Sequence, residues 1–111
     1  MRRGKEIAQG SHASIAFLTR RLNQCGLMFA PLTGAQKEWL SSSFTKVCLQ
    51  VNSEQELFDI QRNAIKEGLE CHLIFDNGAT EFSGVSTLTC LAIGPDYSHK
   101  IDKVTSHLKL Y

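Results

Sequence analysis

Apolar and polar positions follow a helical period near the start of the chain, and this period ends before residue 25. The repeat over residues 4 to 24 predicts a long amphipathic helix. Its apolar face is predicted to carry Ile7, Ser11, Ile15, Leu18 and Leu22. The stretch from Cys25 to Gln36 holds turn-forming residues without a period, so we interpret it as a loop, and a short helix is predicted from Lys37 to Ser42.

Strand-like and helical patterns alternate in the rest of the chain. The predicted order is a strand over Thr45–Val51, a helix that begins after Ser53 and stops at Gly68, strands over residues 70–76 and Leu88–Ile93, and a helix over Ser98–Leu108. Strands separated by a helix of about fourteen residues favour a parallel crossover. We therefore expect an α/β fold, a three-layer sandwich in which helices flank a mixed β-sheet.

Length and composition are those of one packed domain, which we expect to span residues 1–111. The chain has 111 residues, of which 42% are hydrophobic, so global disorder is excluded as a class. Its longest uncharged stretch is shorter than the roughly 20 apolar residues of a membrane helix, and no apolar run follows the basic start. We expect a cytosolic protein without a membrane partner.

Cysteine and histidine spacings argue against a metal centre, and we expect neither a metal nor a cofactor. The chain contains four cysteines, which are Cys25, Cys48, Cys71 and Cys90. No two of them form a CxxC pair, and His72, His99 and His107 lack the helical spacing of a metal pair. We interpret the thiols as reduced and structural, with the last three inside apolar strands. The glycine-rich frame of a nucleotide-binding loop is also absent.

Charge is balanced over the whole chain but not along it. The net charge of +1 is too small to indicate a nucleic-acid partner. Residues 1–24, however, hold five basic side chains against the single acid Glu6. The basic residues are Arg2, Arg3, Lys5, Arg20 and Arg21. Such a cluster is either a solvated face or a surface that contacts phosphates, and the charge pattern alone does not separate the two.

Four motifs in a fixed order carry a resemblance to one enzyme family. They are Gly4-Lys5-x-x-Ala8-Gln9-x-x-His12-Ala13, Asp76-x-Gly78-x-Thr80, Ile93-Gly94-Pro95, and the terminal run from Ile101 to Tyr111. In order and approximate spacing they resemble the type 2 peptidyl-tRNA hydrolases. Each motif alone is weak, but the four together cover almost the whole chain and are specific.

The resemblance implies the fold and the reaction of that family. The reaction is hydrolysis of the ester that joins a peptide to the 3′ end of tRNA, so peptidyl-tRNA is the expected partner. Family members carry an apolar strand before the Gly-Lys motif, and this sequence has none there, so we expect the first family strand to be missing. We also expect Met1 to be an internal methionine of a longer natural protein.

Ester hydrolysis needs a group that accepts a proton from water and positive charge where the oxyanion forms. Lys5 lies at the start of the first helix and Gln9 one turn later, so both project on the same side. By resemblance, Asp76 pairs with Lys5 and acts as base or water-orienter, with the hydroxyls of Thr80 and Thr89 beside it. From residue types alone, Lys5 and Gln9 are solvated helix residues and Asp76 is a turn former. We expect Lys5 and Asp76 to be exposed.

His12 and four arginines complete the set of candidates. His12, which follows Gln9 by three residues, is either the general base or a surface histidine. The candidates for contacts with the tRNA backbone are Arg2, Arg3, Arg20 and Arg21. A GxSxG nucleophile motif is absent, which favours direct attack by water over an acyl-enzyme.

Two other classes of function remain open at the level of sequence. A non-catalytic RNA-binding module of the same fold would keep the basic face without turnover. A small structural domain would neither hydrolyse peptidyl-tRNA nor bind tRNA in a salt-dependent way. Association of two copies through an exposed sheet edge is a geometric option.

Overall fold

The chain folds into four helices and a two-stranded sheet within the residues that the structure describes. This computed structural model describes residues 1–25, 31–78 and 85–111. The elements are α1 (Arg3–Cys25), α2 (Gly34–Ser41), α3 (Glu54–Lys66), β1 (Cys71–Asp76), β2 (Thr87–Ile93) and α4 (Ser98–Thr105). The predicted α/β class is confirmed, although α4 ends earlier than predicted. Within the described ranges, none of the helices has the length and apolarity needed to span a bilayer.

Helix α1 extends one residue beyond the predicted bounds at each end, but its buried face is not the predicted one. The buried side chains are Gln9, Ala16 and Phe17, whereas Ile7 is 65% exposed and Ile15 is 44% exposed. The prediction that these isoleucines face the core is therefore wrong. A glutamine is tolerated at the buried interface because the opposing strand supplies hydrogen-bond partners for it, as described below.

Side-chain caps set the N-termini of α2 and α3. Thr33 Oγ1 accepts a hydrogen bond from Gln36 N, and Gln36 Oε1 accepts one from Thr33 N, so α2 begins before the predicted position. Ser53 Oγ accepts a hydrogen bond from Glu56 N at the predicted N-cap of α3. Helix α3 ends before Gly68, whose φ of 71° is the left-handed conformation predicted for the stop.

Strands β1 and β2 pair antiparallel, and their register shifts near the end of β1. On the two sides of the shift the partners are Ile74 with Cys90, and Phe75 with Leu88. Thr89 is therefore an extra residue without a partner in the ladder, which is a β-bulge. A bulge turns the local strand and changes which way its side chains point.

Helices cover both faces of this sheet. Cys90 faces α1, since its Sγ lies 3.7 Å from the carbonyl oxygen of Gln9. The next residue, Leu91, packs on the other face, because successive side chains of a strand point to opposite sides. The core on that side is centred on Ile60, Ala64, Leu69 and Val104. The order of layers is α1, the sheet, and then α3 with α4.

The predicted strand over residues 45–51 is wrong. In place of a strand, the segment forms an isolated antiparallel bridge between Leu49 and Leu110. Two backbone hydrogen bonds of 3.0 Å flank it, joining residues 48–50 to residues 109–111. The sheet of the described residues is accordingly two-stranded and antiparallel, without the predicted parallel crossover. The alternation of this segment suits a strand, but within the described residues its backbone pairs with residues 109–111 and with neither strand of the sheet.

The prediction for the thiols holds for two of them. Burial raises the pKa of the Cys71 thiol to about 11 and also raises the pKa of Cys90, so both are protonated at neutral pH. Both are free and partly buried, as small core side chains are. Cys48 is exposed, so its predicted place in the core is wrong. The side chain of Cys25 lies outside the described part of the structure.

Candidate active site

Lys5 and Asp76 meet where the first turn of α1 approaches the end of β1. Lys5 Nζ donates a hydrogen bond to Asp76 Oδ1 at 3.4 Å. The side chain of Lys5 is 14% exposed and that of Asp76 is 7% exposed, so the prediction that both are exposed is wrong. Because the pair is largely desolvated, removal of one charge leaves the other without compensation.

Asp76 keeps one carboxylate oxygen out of this pair. Its Oδ2 is buried, and no hydrogen-bond partner for it is found among the described residues. A buried unpaired carboxylate oxygen is costly, and such groups concentrate at functional sites. The chain turns directly after Asp76 through Gly78, whose φ of 82° requires a residue without a Cβ.

Gln9 lies one helical turn beyond Lys5 and is held from β2. Thr89 Oγ1 is 2.7 Å from Gln9 Oε1 and 3.2 Å from Ile74 O, so its single hydroxyl hydrogen faces two acceptors. Cys90 Sγ donates to Gln9 O at 3.7 Å. Because the bulge frees Thr89 from the ladder, its hydroxyl turns toward α1. These contacts fix the orientation of the Gln9 amide beside Lys5.

The structure brings together four of the six residues predicted to be catalytic. They are Lys5, Gln9, Asp76 and Thr89, in two hydrogen-bonded pairs that adjoin along α1. Thr80 lies outside the described residues. His12 is exposed and lines a separate groove with Ile15 and Phe75.

A surface cleft opens beside Lys5. Arg2, Gly4, Lys5 and Ala8 line it, and its volume is about 390 Å³. The N-terminus of α1 adds backbone N–H groups and the positive end of the helix dipole, both of which favour anions. Arg3 is exposed at the same helix end. The cleft is therefore electropositive.

Arg21, predicted to contact tRNA, makes its hydrogen bonds within the protein. Its Nη1 and Nη2 donate to the two carboxylate oxygens of Glu70 at 2.6 and 2.5 Å. Its Nη1 also donates to Phe17 O at 2.8 Å, and its Nε donates to Pro31 O at 2.9 Å. A guanidinium that is bidentate on a carboxylate and bonded to two carbonyls joins α1 to the start of β1, which favours a structural role.

Glu70 is the centre of this polar cluster. Gln36 Nε2 donates to Glu70 Oε1 at 3.0 Å, and His72 Nε2 lies 2.6 Å from Glu70 Oε2. Burial alone raises the pKa of the Glu70 carboxyl. The hydrogen bonds from Arg21, His72 and Gln36 outweigh burial and lower that pKa from 4.5 to about 2. Glu70 is therefore a carboxylate at neutral pH.

Arg20 is linked to the same cluster through His72. Arg20 Nη1 lies 2.8 Å from His72 Nδ1. Since a guanidinium only donates and the Glu70 carboxylate only accepts, the hydrogen bonds assign His72 to the neutral tautomer with its proton on Nε2. Arg20 Nη2 also donates to Leu73 O at 2.5 Å. Arg20 is exposed, unlike Arg21, and its outer surface faces solvent.

Two features around the site escape prediction from the sequence. The polar cluster on Glu70 depends on contacts between distant segments, although the spacing of Thr33 and Gln36 is a capping-box signal that locates one member. The second feature is the C-terminal tail, which reaches the first turn of α1. There Tyr111 Oη donates to the Glu6 carboxylate, and this hydrogen bond raises the pKa of Tyr111.

Comparisons with known proteins agree with the motifs. A family model described as Peptidyl-tRNA hydrolase PTH2 matches residues 1–111. The chain is 47% identical to a peptidyl-tRNA hydrolase of Methanocaldococcus jannaschii, a match that covers 99% of this chain and 89% of that protein. It is 37% identical to the peptidyl-tRNA hydrolase of Nanoarchaeum equitans, covering 98% and 88%. It is 34% identical to a probable peptidyl-tRNA hydrolase 2 of Dictyostelium discoideum, covering 100% and 49%. Because the family model spans the chain and the archaeal relatives align over most of their own length, the chain belongs to the PTH2 family of peptidyl-tRNA hydrolases.

Proposed function

We propose that this protein hydrolyses the ester bond between a peptide, or an N-blocked amino acid, and the 3′ end of tRNA. The observation that carries the proposal is the Lys5–Asp76 pair, in which an ammonium and a buried carboxylate lie 3.4 Å apart beside an electropositive cleft. Membership of the family supplies the substrate class, since the relatives that align with the chain are named peptidyl-tRNA hydrolases.

In the proposed reaction, water attacks the ester carbonyl directly. Asp76 accepts a hydrogen bond from this water and takes its proton as the new C–O bond forms. The ammonium of Lys5 faces the negative charge that develops on the carbonyl oxygen. Collapse of the tetrahedral intermediate expels the ribose oxygen, which receives the proton from Asp76. Gln9, held by Thr89, orients the ester or the water.

The electropositive cleft at the start of α1 is the proposed contact for phosphates near the 3′ end of tRNA. Arg2, Arg3 and Lys5 provide its charge together with the helix N-terminus. Arg20 stays a proposed contact, since its side chain is exposed. We leave Arg21 out of this surface, because hydrogen bonds to Glu70 and to two carbonyls hold its guanidinium.

The alternative of a non-catalytic RNA-binding module is not favoured, because the aligned relatives are hydrolases. A role for His12 as base and a role for the Thr80 hydroxyl stay predictions, as do a homodimer and a cytosolic location. Metal independence also stays a prediction. Among the described residues, no three His, Cys, Asp or Glu side chains are grouped so that they could hold a metal ion.

Release of the N-blocked amino acid from N-acetylaminoacyl-tRNA, with and without EDTA, tests the proposal. We expect equal release under both conditions. Asp76→Asn should lower kcat by about 10²- to 10⁴-fold, as removal of a general base does. Lys5→Met should lower kcat by about 10²- to 10³-fold, as removal of an oxyanion donor does. Asp102→Asn changes an exposed carboxylate on α4 and is the matched control.

Because Lys5 and Asp76 stabilise each other, thermal melting of each variant accompanies the kinetics. A folded Asp76→Asn variant with full activity would remove this carboxylate from the reaction. If the folded wild-type chain binds tRNA in a salt-dependent way but releases no N-blocked amino acid, the hydrolase proposal is wrong and the chain is a non-catalytic RNA-binding module.

A further inference from the structure

His72 lies between a carboxylate and a guanidinium near the start of β1. Its Nε2 is 2.6 Å from Glu70 Oε2, and its Nδ1 is 2.8 Å from Arg20 Nη1. The side chain of His72 is 16% exposed. Along β1 the chain rises by about 13 Å between His72 and Asp76. The reaction proposed above therefore assigns no role to this titratable ring.

The two contacts fix the protonation state of the His72 ring. Glu70 is a carboxylate at neutral pH and can only accept, so the ring must donate from Nε2. The guanidinium of Arg20 can only donate, so Nδ1 must carry a lone pair. The neutral tautomer with its proton on Nε2 satisfies both contacts, and every other protonation state of the ring breaks one of them.

A proton added at Nδ1 breaks the contact with Arg20 and keeps the contact with Glu70. An imidazolium donates from both nitrogens, so two N–H groups and two positive charges would face each other across 2.8 Å. Among the described residues, Arg20 then keeps the hydrogen bond from its Nη2 to Leu73 O. Because Arg20 is exposed, its guanidinium can turn away from the ring into water.

We propose that protonation of His72 releases Arg20 from β1 and makes its guanidinium available to a phosphate of bound RNA. With the ring neutral, His72 Nδ1 and Leu73 O hold the guanidinium of Arg20 against β1. With the ring charged, His72 and Arg20 both add positive charge on the same side of the sheet. The inference rests on the proposed function for its RNA partner and adds to it a control of RNA affinity by pH.

The charged groups around the ring act in opposite directions. The carboxylate of Glu70 favours the imidazolium, whereas Arg20 opposes it directly and Arg21 opposes it through its pair with Glu70. Helix α2 contributes the neutral amide of Gln36, and β2 holds no charged side chain. Because the pKa of Glu70 is about 2, Glu70 stays a carboxylate over the range in which histidines titrate, and Arg21 stays bound to it.

Nitrogen NMR of the wild-type chain at pH 8 and pH 5 tests the release of Arg20. At pH 8 we expect the His72 ring to show a protonated Nε2 and the Arg20 guanidinium to rotate slowly. At pH 5 we expect an imidazolium and fast rotation at Arg20. Arg21 is the internal control and should rotate slowly at both pH values. If His72 stays neutral at pH 5, or if it gains a proton while Arg20 stays restricted, the proposal is wrong.

Binding of deacylated tRNA at the same two pH values and constant ionic strength tests the effect on RNA. A single exposed ionic contact changes affinity by about twofold to fivefold. We therefore expect the ratio of Kd at pH 8 to Kd at pH 5 to be about two to five times larger in wild type than in His72→Gln. That variant keeps a donor for Glu70 but does not titrate, and Arg20→Met should give the same low ratio.

His99→Gln is the matched control for His72→Gln. His99 is an exposed histidine of α4, and its replacement should keep the wild-type ratio. If Arg20→Met also keeps the wild-type ratio while His72→Gln lowers it, the charge on the ring acts without Arg20 and the proposal is wrong. Equal ratios in wild type and His72→Gln would overturn it as well. Circular dichroism of each variant shows that it is folded at both pH values.

These measurements separate this inference from the proposed function, because deacylated tRNA has no ester to hydrolyse. A folded chain that passes both tests but releases no N-blocked amino acid keeps the pH control and loses the proposed reaction. An active enzyme whose Arg20 does not respond to pH keeps the reaction and loses the pH control.

Discussion

Replacement of Arg21 by methionine tests whether this arginine stabilises the fold or contacts RNA. Methionine keeps the apolar stem but removes the hydrogen bonds to Glu70, Phe17 O and Pro31 O. Breaking a buried ion pair on one side costs about 3–5 kcal/mol, and an exposed pair contributes less than about 1 kcal/mol. The side chains of Arg21 and Glu70 are 18% and 25% exposed. We therefore expect the free energy of unfolding to fall by about 2–3 kcal/mol.

The pKa of the Glu70 carboxyl gives a second estimate of how much this ion pair stabilises the fold, and it predicts how that stabilisation changes with pH. Burial raises its pKa, but the hydrogen bonds from Arg21, His72 and Gln36 lower it from 4.5 to about 2 in the folded state. The difference corresponds to at most about 3 kcal/mol of stability, which solvent screening of a partly exposed group reduces to about 2 kcal/mol. Because the folded-state pKa is the lower one, this stabilisation is complete above the unfolded pKa and is lost as pH falls from 4.5 toward 2.

Urea unfolding at pH 7 and at pH 3 measures both effects. Arg21→Met should be less stable than wild type at pH 7, and the gap should narrow at pH 3, where Glu70 begins to lose its charge. Arg62→Met is the control, since Arg62 pairs with Asp59 at 3.5 Å with both side chains largely exposed, and it should cost less than about 0.5 kcal/mol. If Arg21→Met unfolds like wild type but binds tRNA more weakly, the structural role assigned to Arg21 is wrong.

Three further variants have expected outcomes of their own. Thr89→Val removes the hydroxyl that fixes Gln9 and should lower kcat about tenfold in the folded variant, the equivalent of one hydrogen bond. It should also lower the free energy of unfolding in urea by about 1–3 kcal/mol, because the buried Gln9 oxygen loses its donor. An unchanged kcat would remove Thr89 from the site. His72→Gln can still donate to Glu70 and should be about 1 kcal/mol more stable in urea than His72→Leu, which cannot. Gly94→Ala should lower the free energy of unfolding by about 1–3 kcal/mol, and the melting temperature with it, because φ is 91° and a Cβ would lie 2.8 Å from a backbone nitrogen. An unchanged melting temperature would show that the backbone of this turn can relax.

Local signals in the sequence account for most element boundaries. Ser53 and Gly68 delimit α3 as predicted, because a cap acts on backbone groups within a few residues of itself. The segment 45–51 shows the limit of such signals. Its alternation is suitable for a strand, but a strand needs a neighbour of equal length, and that neighbour is supplied by tertiary structure rather than by the segment.

The buried face of α1 shows why a functional helix misleads a hydrophobicity pattern. Periodicity assigns Ile7 and Ile15 to the core and leaves Gln9 outside, whereas the structure buries Gln9 and exposes both isoleucines. One side of α1 both packs against the sheet and carries the polar side chains that lie beside Lys5. Polar residues at buried positions are expected where a site is built, and only the family motif, which includes Gln9, indicated this position.

The β-bulge at Thr89 allows β2 to contact Gln9 on α1 beside the Lys5–Asp76 pair. No local pattern in the sequence of β2 predicts this bulge. In a regular strand, Thr89 would alternate with Cys90 and point with Leu91 toward α3, away from α1. The extra residue in the ladder lets both Thr89 and Cys90 contact Gln9. A period of two assigns Thr89 to the wrong face, so the hydrogen bond from its hydroxyl to Gln9 follows from the register of two strands and not from the sequence of either one.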